Sequence, residues 1–174
     1  MKRLFGKWVK RREGSTAIEF SLLLMPYIMI CLGIIELSLM YTAASLVEGA
    51  TNSAARMIRT GQLQQSAGDP QQEFQDALCD FAVVLVDCNE MVVEVQQIDS
   101  YGDFSDPVFD GDGNLVSQGF DMGGSNDKVV IRVAYTYTMM TPLIGPILNG
   151  ADGSTLFMST IVLQAEPYEF MGGA

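Results

Sequence analysis

Phe20-Ser-Leu-Leu-Leu-Met-Pro-Tyr-Ile-Met-Ile-Cys-Leu-Gly-Ile-Ile35 is the stretch that decides how the rest of the chain is arranged. These sixteen residues carry no charge, and after Glu36 the stretch Leu37 to Val47 is uncharged again. A membrane-crossing helix needs about 20 mostly apolar residues, which this region supplies. Six of the ten basic residues (Lys2, Arg3, Lys7, Lys10, Arg11 and Arg12) lie just before it, opposed only by Glu13. After Gly14 there remain four basic and twenty acidic residues. Basic residues crowded on one flank predict a cytoplasmic N-terminus, with the acidic remainder across the membrane. A secretory signal peptide has the same beginning, but the apolar run is long and no A-x-A-like site follows it closely. The segment reads as a retained anchor.

The rest of the composition excludes whole classes. A chain of 174 residues fits one domain, or one domain and a tail. It has no His, hence no Ser-His-Asp or Cys-His nucleophile, no His-ligated metal and no imidazole switch. A formal charge of −11 and a pI near 4.2 disfavour nucleic acid as a partner. No Ser, Cys or carboxylate pair has catalytic surroundings, and no phosphate-cradling loop is present. The chain reads as a non-enzyme without a cofactor or metal.

Outward from the apolar run, Ser15 to about Thr60 reads as one helix. Glu48, Asn52, Arg56 and Arg59 draw a polar stripe. Ala43, Leu46, Val47, Ala50, Ala54, Met57 and Ile58 fill the opposite side, as in an amphipathic helix leaving the membrane. Pro26 predicts a kink or bulge, and Gly61 a C-terminal stop. Residues 62–72 read as a linker. Glu73 to Val86 begins as a second helix, with Phe74, Ala77, Leu78 and Phe81 at helical spacing. Three strands follow: Met91–Ile98, Lys128–Met140 and Leu156–Ala165. In the second, Val129, Ile131, Val133, Tyr135, Tyr137 and Met139 share one face. Lys128, Arg132, Thr136 and Thr138 share the other, a pattern that predicts one wet face. The fold expected is α+β: a long N-terminal transmembrane helix extending into a small domain. In that domain a helix packs on an antiparallel sheet of three to four strands.

Three groups of residues invite a chemical reading. Cys79 and Cys88 would be about 13 Å apart in one helix and about 30 Å apart in one strand. A disulfide between them therefore requires a chain reversal, as where the second helix ends. Beyond the cytoplasm a disulfide is favoured over free thiols or a metal pair. Asp110-Gly-Asp112-Gly-Asn114 resembles the start of a calcium loop. An EF-hand counted from Asp110 wants Gly and Glu where Leu115 and Asp121 stand, so a Gly-rich hairpin turn is the commoner meaning. Glu36 sits near the outer edge of a span covering roughly Ile18 to Ser38. It either reaches water there, pairs with a cation on a partner helix, or hydrogen-bonds there when protonated.

Gly14-Ser-Thr-Ala-Ile-Glu19-Phe20, set between the basic arm and the apolar run, resembles the prepilins of the Tad (Flp) pilus system, and more narrowly the TadE-like pseudopilins. Pro26, Gly33-Ile-Ile-Glu36, Ala54-Ala55-Arg56, the Cys79/Cys88 pair and Glu166-Pro-Tyr168 extend the likeness along the chain. The resemblance implies a minor pilin acting in pilus assembly, priming and adhesion. Residues 1–14 would be a leader removed by a prepilin peptidase between Gly14 and Ser15. Residues 15–60 would be the transmembrane and extended helix, and 61–174 a periplasmic or extracellular domain. Glu19 would register incoming subunits and Phe20 would make helix contacts. The implied partners are the peptidase, other Tad pilins and minor pilins, and the bacterial inner membrane, with a pilus outside the cell as a further destination. Apart from the resemblance, Glu19 in an early helical turn also complements the helix dipole. The rival reading is an unprocessed, membrane-anchored periplasmic scaffold protein.

Overall fold

A computed structural model describes residues 13–82, 85–103, 105–141, 144–149 and 153–168. The basic arm occupies residues 1–12, outside the described part. Helix α1 (Glu13–Arg59) is a single α-helix of 47 residues, about 70 Å long at ~1.5 Å per residue. The α-helix continues across Pro26 without a break, although the proline ring removes one N–H from the ladder. The helix stops where Gly61 adopts a φ of +73°. The Gly61 N–H donates to the Ile58 carbonyl at 3.1 Å, and the Gln62 N–H donates to the Met57 carbonyl at 2.9 Å. This pair of bonds satisfies the last carbonyls and favours glycine at the left-handed position. Glycine is needed for a second reason: a Cβ there would meet the Tyr168 ring at 2.5 Å.

The linker is shorter than the sequence suggests. Leu63–Gln65 forms one 3-10 turn with Leu63 buried, and α2 (Pro70–Ala82) already begins at Pro70. The cause is Asp69, whose Oδ1 accepts the Gln71 N–H at 3.0 Å. Proline at the first helical position loses nothing, because its missing N–H has no partner there anyway.

Strands β1 (Met91–Ile98), β2 (Lys128–Thr138) and β3 (Ser154–Gln164) form an antiparallel meander in that order. The short helix α3 (Gly145–Asn149) lies between β2 and β3. Pairings such as Val93 with Val133 and Ile131 with Ile161 set the register. They put Val93, Val95, Val129, Ile131, Val133 and Tyr137 on one buried face. The outer part of α1, through Ala43, Val47, Ala50, Ala54 and Ile58, and α2, through Phe74 and Leu78, complete this core. Alanines at the α1 contact let the helix backbone approach closely, and the larger residues of the sheet fill the space.

The opposite face is not the wet surface that alternation in β2 suggests. Val130, Arg132 and Ala134 are buried as well. Parts of the segment after β1 fold back over this face, as the contacts of Ser105, Asn114 and Gln118 with Arg132, Thr136 and Glu94 show. The Val95 N–H donates to the Gly119 carbonyl at 3.0 Å and the Asp121 N–H to the Val95 carbonyl at 2.7 Å, so the returning chain lies along the outer edge of β1. Ser117 Oγ donates to the Val93 carbonyl at 2.7 Å, and Phe120 reaches Phe74 edge-on at 5.6 Å. Glu94 and Arg132 face each other in register. They form an ion pair, and Arg132 also donates to the Ser105 carbonyl. A charge here signals a buried partner rather than water, because an ion pair tolerates burial only when its remaining donors are also satisfied.

Candidate functional site

Between Thr16 and Ile35 the side chains of α1 point mostly away from the rest of the chain. Leu22, Leu23 and Met25 are 71–72% exposed, and Ile18, Phe20, Tyr27, Ile30 and Ile34 nearly as much. This is the one helix among the described residues long and apolar enough to cross a membrane. Twenty residues at ~1.5 Å each make about 30 Å, the thickness of the hydrocarbon core. Two serine hydroxyls in and just beyond it bond back to the helix: Ser21 Oγ donates to the Ala17 carbonyl and Ser38 Oγ to the Ile34 carbonyl, both at 2.7 Å. Such back-bonding leaves little unsatisfied polarity to face lipid. Gly14 and Ser15 lie within the helix, and Glu19 and Phe20 follow one turn later on its exposed surface.

Glu36 marks the change of environment. It is 1% exposed, and its partners come from the far end of the sequence. One carboxylate oxygen accepts the Met140 N–H at 2.8 Å and the Tyr137 hydroxyl at 3.2 Å. The other accepts the Thr141 N–H at 3.0 Å and the Thr141 hydroxyl at 2.6 Å. Four donors converge on two oxygens, a set that suits a carboxylate and no apolar residue. Burial first, and the Glu36 charge second, push the Tyr137 phenol above its ordinary pKa, so it stays a donor. The partner that the sequence leaves open is therefore the protein's own domain. A signal for this was available. Stepping back from Ala54 through Ala50, Val47, Ala43 and Met40 at threes and fours, the buried stripe of α1 reaches Glu36. Nothing local points to Tyr137, Met140 or Thr141.

The contacts at the other end of α1 complete a second clasp. The Glu166 N–H donates to the Arg59 carbonyl at 2.8 Å, and the two side chains form an exposed ion pair at 3.3 Å. From Glu36 to Arg59 the helix is thus tied to the domain at both ends and packed against it between.

Cys79 and Cys88 are joined in a disulfide, their Cα atoms 5.6 Å apart. The reversal it requires follows α2, and the bond ties that helix to the 3-10 turn Cys88–Glu90 leading into β1. The Asp-rich loop is a turn whose leading carboxylate is occupied from within. Asp110 Oδ1 accepts the N–H groups of Asp112 and Asn114 at 2.9 and 2.8 Å, and Oδ2 accepts from Asn114 Nδ2 at 3.3 Å. These bonds, that of Asn114 foremost, hold the Asp110 carboxyl below its ordinary pKa. Phe109 and Leu115 bridge across the turn, so it closes a small hairpin. Among the described residues no group of three or more His, Cys, Asp or Glu is placed to hold a metal ion.

The geometry is that of an exposed apolar helix rigidly continued into a small disulfide-tied domain. No curated protein and no solved structure matches the chain. Residues 14–56, which take in the exposed apolar half of α1 and most of its packed half, match the family described as TadE-like protein. Over this helix the chain is similar to the TadE-like proteins, a family associated with Tad pilus systems.

Proposed function

We propose that the protein is a minor pilin (pseudopilin) of a Tad-type pilus, with a structural role in priming assembly and in adhesion. It is held in the bacterial inner membrane, N-terminus cytoplasmic and acidic domain periplasmic, until a prepilin peptidase cuts between Gly14 and Ser15. The observation that carries this reading is the family match, which begins at Gly14 and covers the helix whose apolar half is exposed. Cleavage frees the Ser15 amine, which with a pKa of about 7.7–8.0 is mostly protonated at neutral pH. It can then face the Glu19 carboxylate of its own or a neighbouring helix, where opposite charges in an apolar setting specify register. Phe20 and the apolar residues beyond it pack against the helices of other pilins. The clasp at Glu36 makes the domain follow the helix as one body when it enters the assembly, at its tip or base or in the extracellular fibre.

Intact mass and N-terminal sequence of the protein from native membranes, with and without the peptidase, test this. The mature chain is expected to begin at Ser15, and the full-length chain to accumulate when the peptidase is absent. A chain beginning at Met1 in both would overturn the reading and leave an unprocessed, membrane-anchored scaffold.

A further inference from the structure

The connection between β2 and β3 sits at a particular height on α1. Its start is fixed by the two N–H bonds from Met140 and Thr141 to Glu36. Its base is closed by the Met139 N–H, which donates to the Gly153 carbonyl at 2.9 Å, and by Gly145, where a Cβ would come 3.2 Å from Gly153 Cα. At the other end of the domain Glu166 is tied to Arg59. The two lengths agree. From Glu36 to Arg59 α1 covers about 35 Å, and β2 from Thr138 back to Lys128 covers about 33 Å. β2 therefore runs down the helix and ends at the level of Glu36. The connection that follows lies at that level or beyond it, on the side of the exposed apolar span.

Its composition fits that place. From Val133 to Ala151 there are nineteen residues without a charge, in a chain with twenty-one acidic residues. Ile144 is buried and anchors the turn, but Met140 is 65%, Ile147 73% and Leu148 44% exposed. Near the level of Glu36 on the helix, Leu37 and Tyr41 are exposed too. The exposed apolar residues of the span are thus followed, from the level of Glu36, by exposed apolar residues of the domain. An exposed Tyr just outside a span suits the headgroup region, where aromatic side chains with one polar end collect.

We propose that the β2–β3 connection, through Met140, Ile147 and Leu148, rests in the outer interface of the lipid bilayer, as a second contact beside the spanning helix. Apolar side chains gain free energy by leaving water for the headgroup–acyl boundary. With the clasp at Glu36 this second contact sets the orientation of the domain on the membrane. It rests on the reading of α1 as a membrane span and is independent of cleavage at Gly14.

The test uses the full chain with Cys31→Ser, the Cys79–Cys88 disulfide intact, in vesicles of phosphatidylethanolamine and phosphatidylglycerol. Single nitroxide labels are placed through Ile28→Cys, Ile147→Cys and Met158→Cys, all exposed positions, and collision with oxygen and with a water-soluble nickel chelate is measured. The labels at 28 and 147 are expected to favour oxygen, and the label at 158, on the sheet, to favour nickel. Oxygen preference at 28 with nickel preference at 147 overturns the inference alone. Nickel preference at 28 overturns the membrane span and the inference with it. A label at 147 shielded from both probes means that another protein covers the connection, which also overturns the lipid contact.

Discussion

The two halves of α1 are one helix in two environments. From Thr16 to Ile35 its apolar side chains are exposed nearly all round. From Glu36 to Arg59 the same helix buries Ala43, Val47, Ala50, Ala54 and Ile58 against the sheet and α2. Both halves are rich in apolar residues, so hydrophobicity alone does not separate them. Side-chain size and placement do. Large residues on every side need lipid or other helices around them. Small residues on one side, with Glu48, Asn52 and Arg56 opposite, need a single partner, which the chain itself supplies. Glu36 stands at the border and fixes where one regime gives way to the other.

The sharpest way to separate the halves is to unfold one and keep the other. Arg132→Ala leaves Glu94 buried without its cation, a loss of about 3–5 kcal/mol. The disulfide-tied domain should melt far below the wild type, while the protein stays in the membrane fraction and keeps the helical far-UV signal of the span. Glu36→Ala comes next. It strands two N–H groups and two hydroxyls, at a cost of roughly 2–3 kcal/mol, about that of one charged hydrogen-bonded contact. Thermal unfolding of the full chain in nanodiscs reads both. Ala54→Leu overpacks the helix–sheet contact and should cost about 1–3 kcal/mol in the same assay. The smallest effect belongs to the exposed half: Leu23→Ala should change domain unfolding by less than about 0.5 kcal/mol. A large shift from Leu23→Ala, or none from Ala54→Leu, would break the division drawn at Glu36.

Much of this was legible in the sequence, because it depends on neighbours along the chain. Spacing in threes and fours marks the buried stripe of α1, Gly61 marks its stop, and alternation marks the core face of β2. The start of α2 was missed by three residues because Asp69-Pro70 reads as a linker and acts as a cap. The covered second face of the sheet was missed for a different reason. Arg132 looks like a solvent residue until Glu94, in another strand, is placed opposite it. The donors that hold Glu36 come from positions over a hundred residues away, and neither threonine nor a main-chain N–H advertises a carboxylate partner.

The division of α1 rests on the clasp, and amide hydrogen exchange at Met140 and Thr141, in the full chain in nanodiscs, tests it most directly. Both amides should be protected in the wild type and exchange about a hundredfold faster in Glu36→Ala, the equivalent of roughly 2.7 kcal/mol, with amides of the span unchanged. Met140 and Thr141 amides that exchange freely in the wild type, or equally slowly in Glu36→Ala, would contradict it.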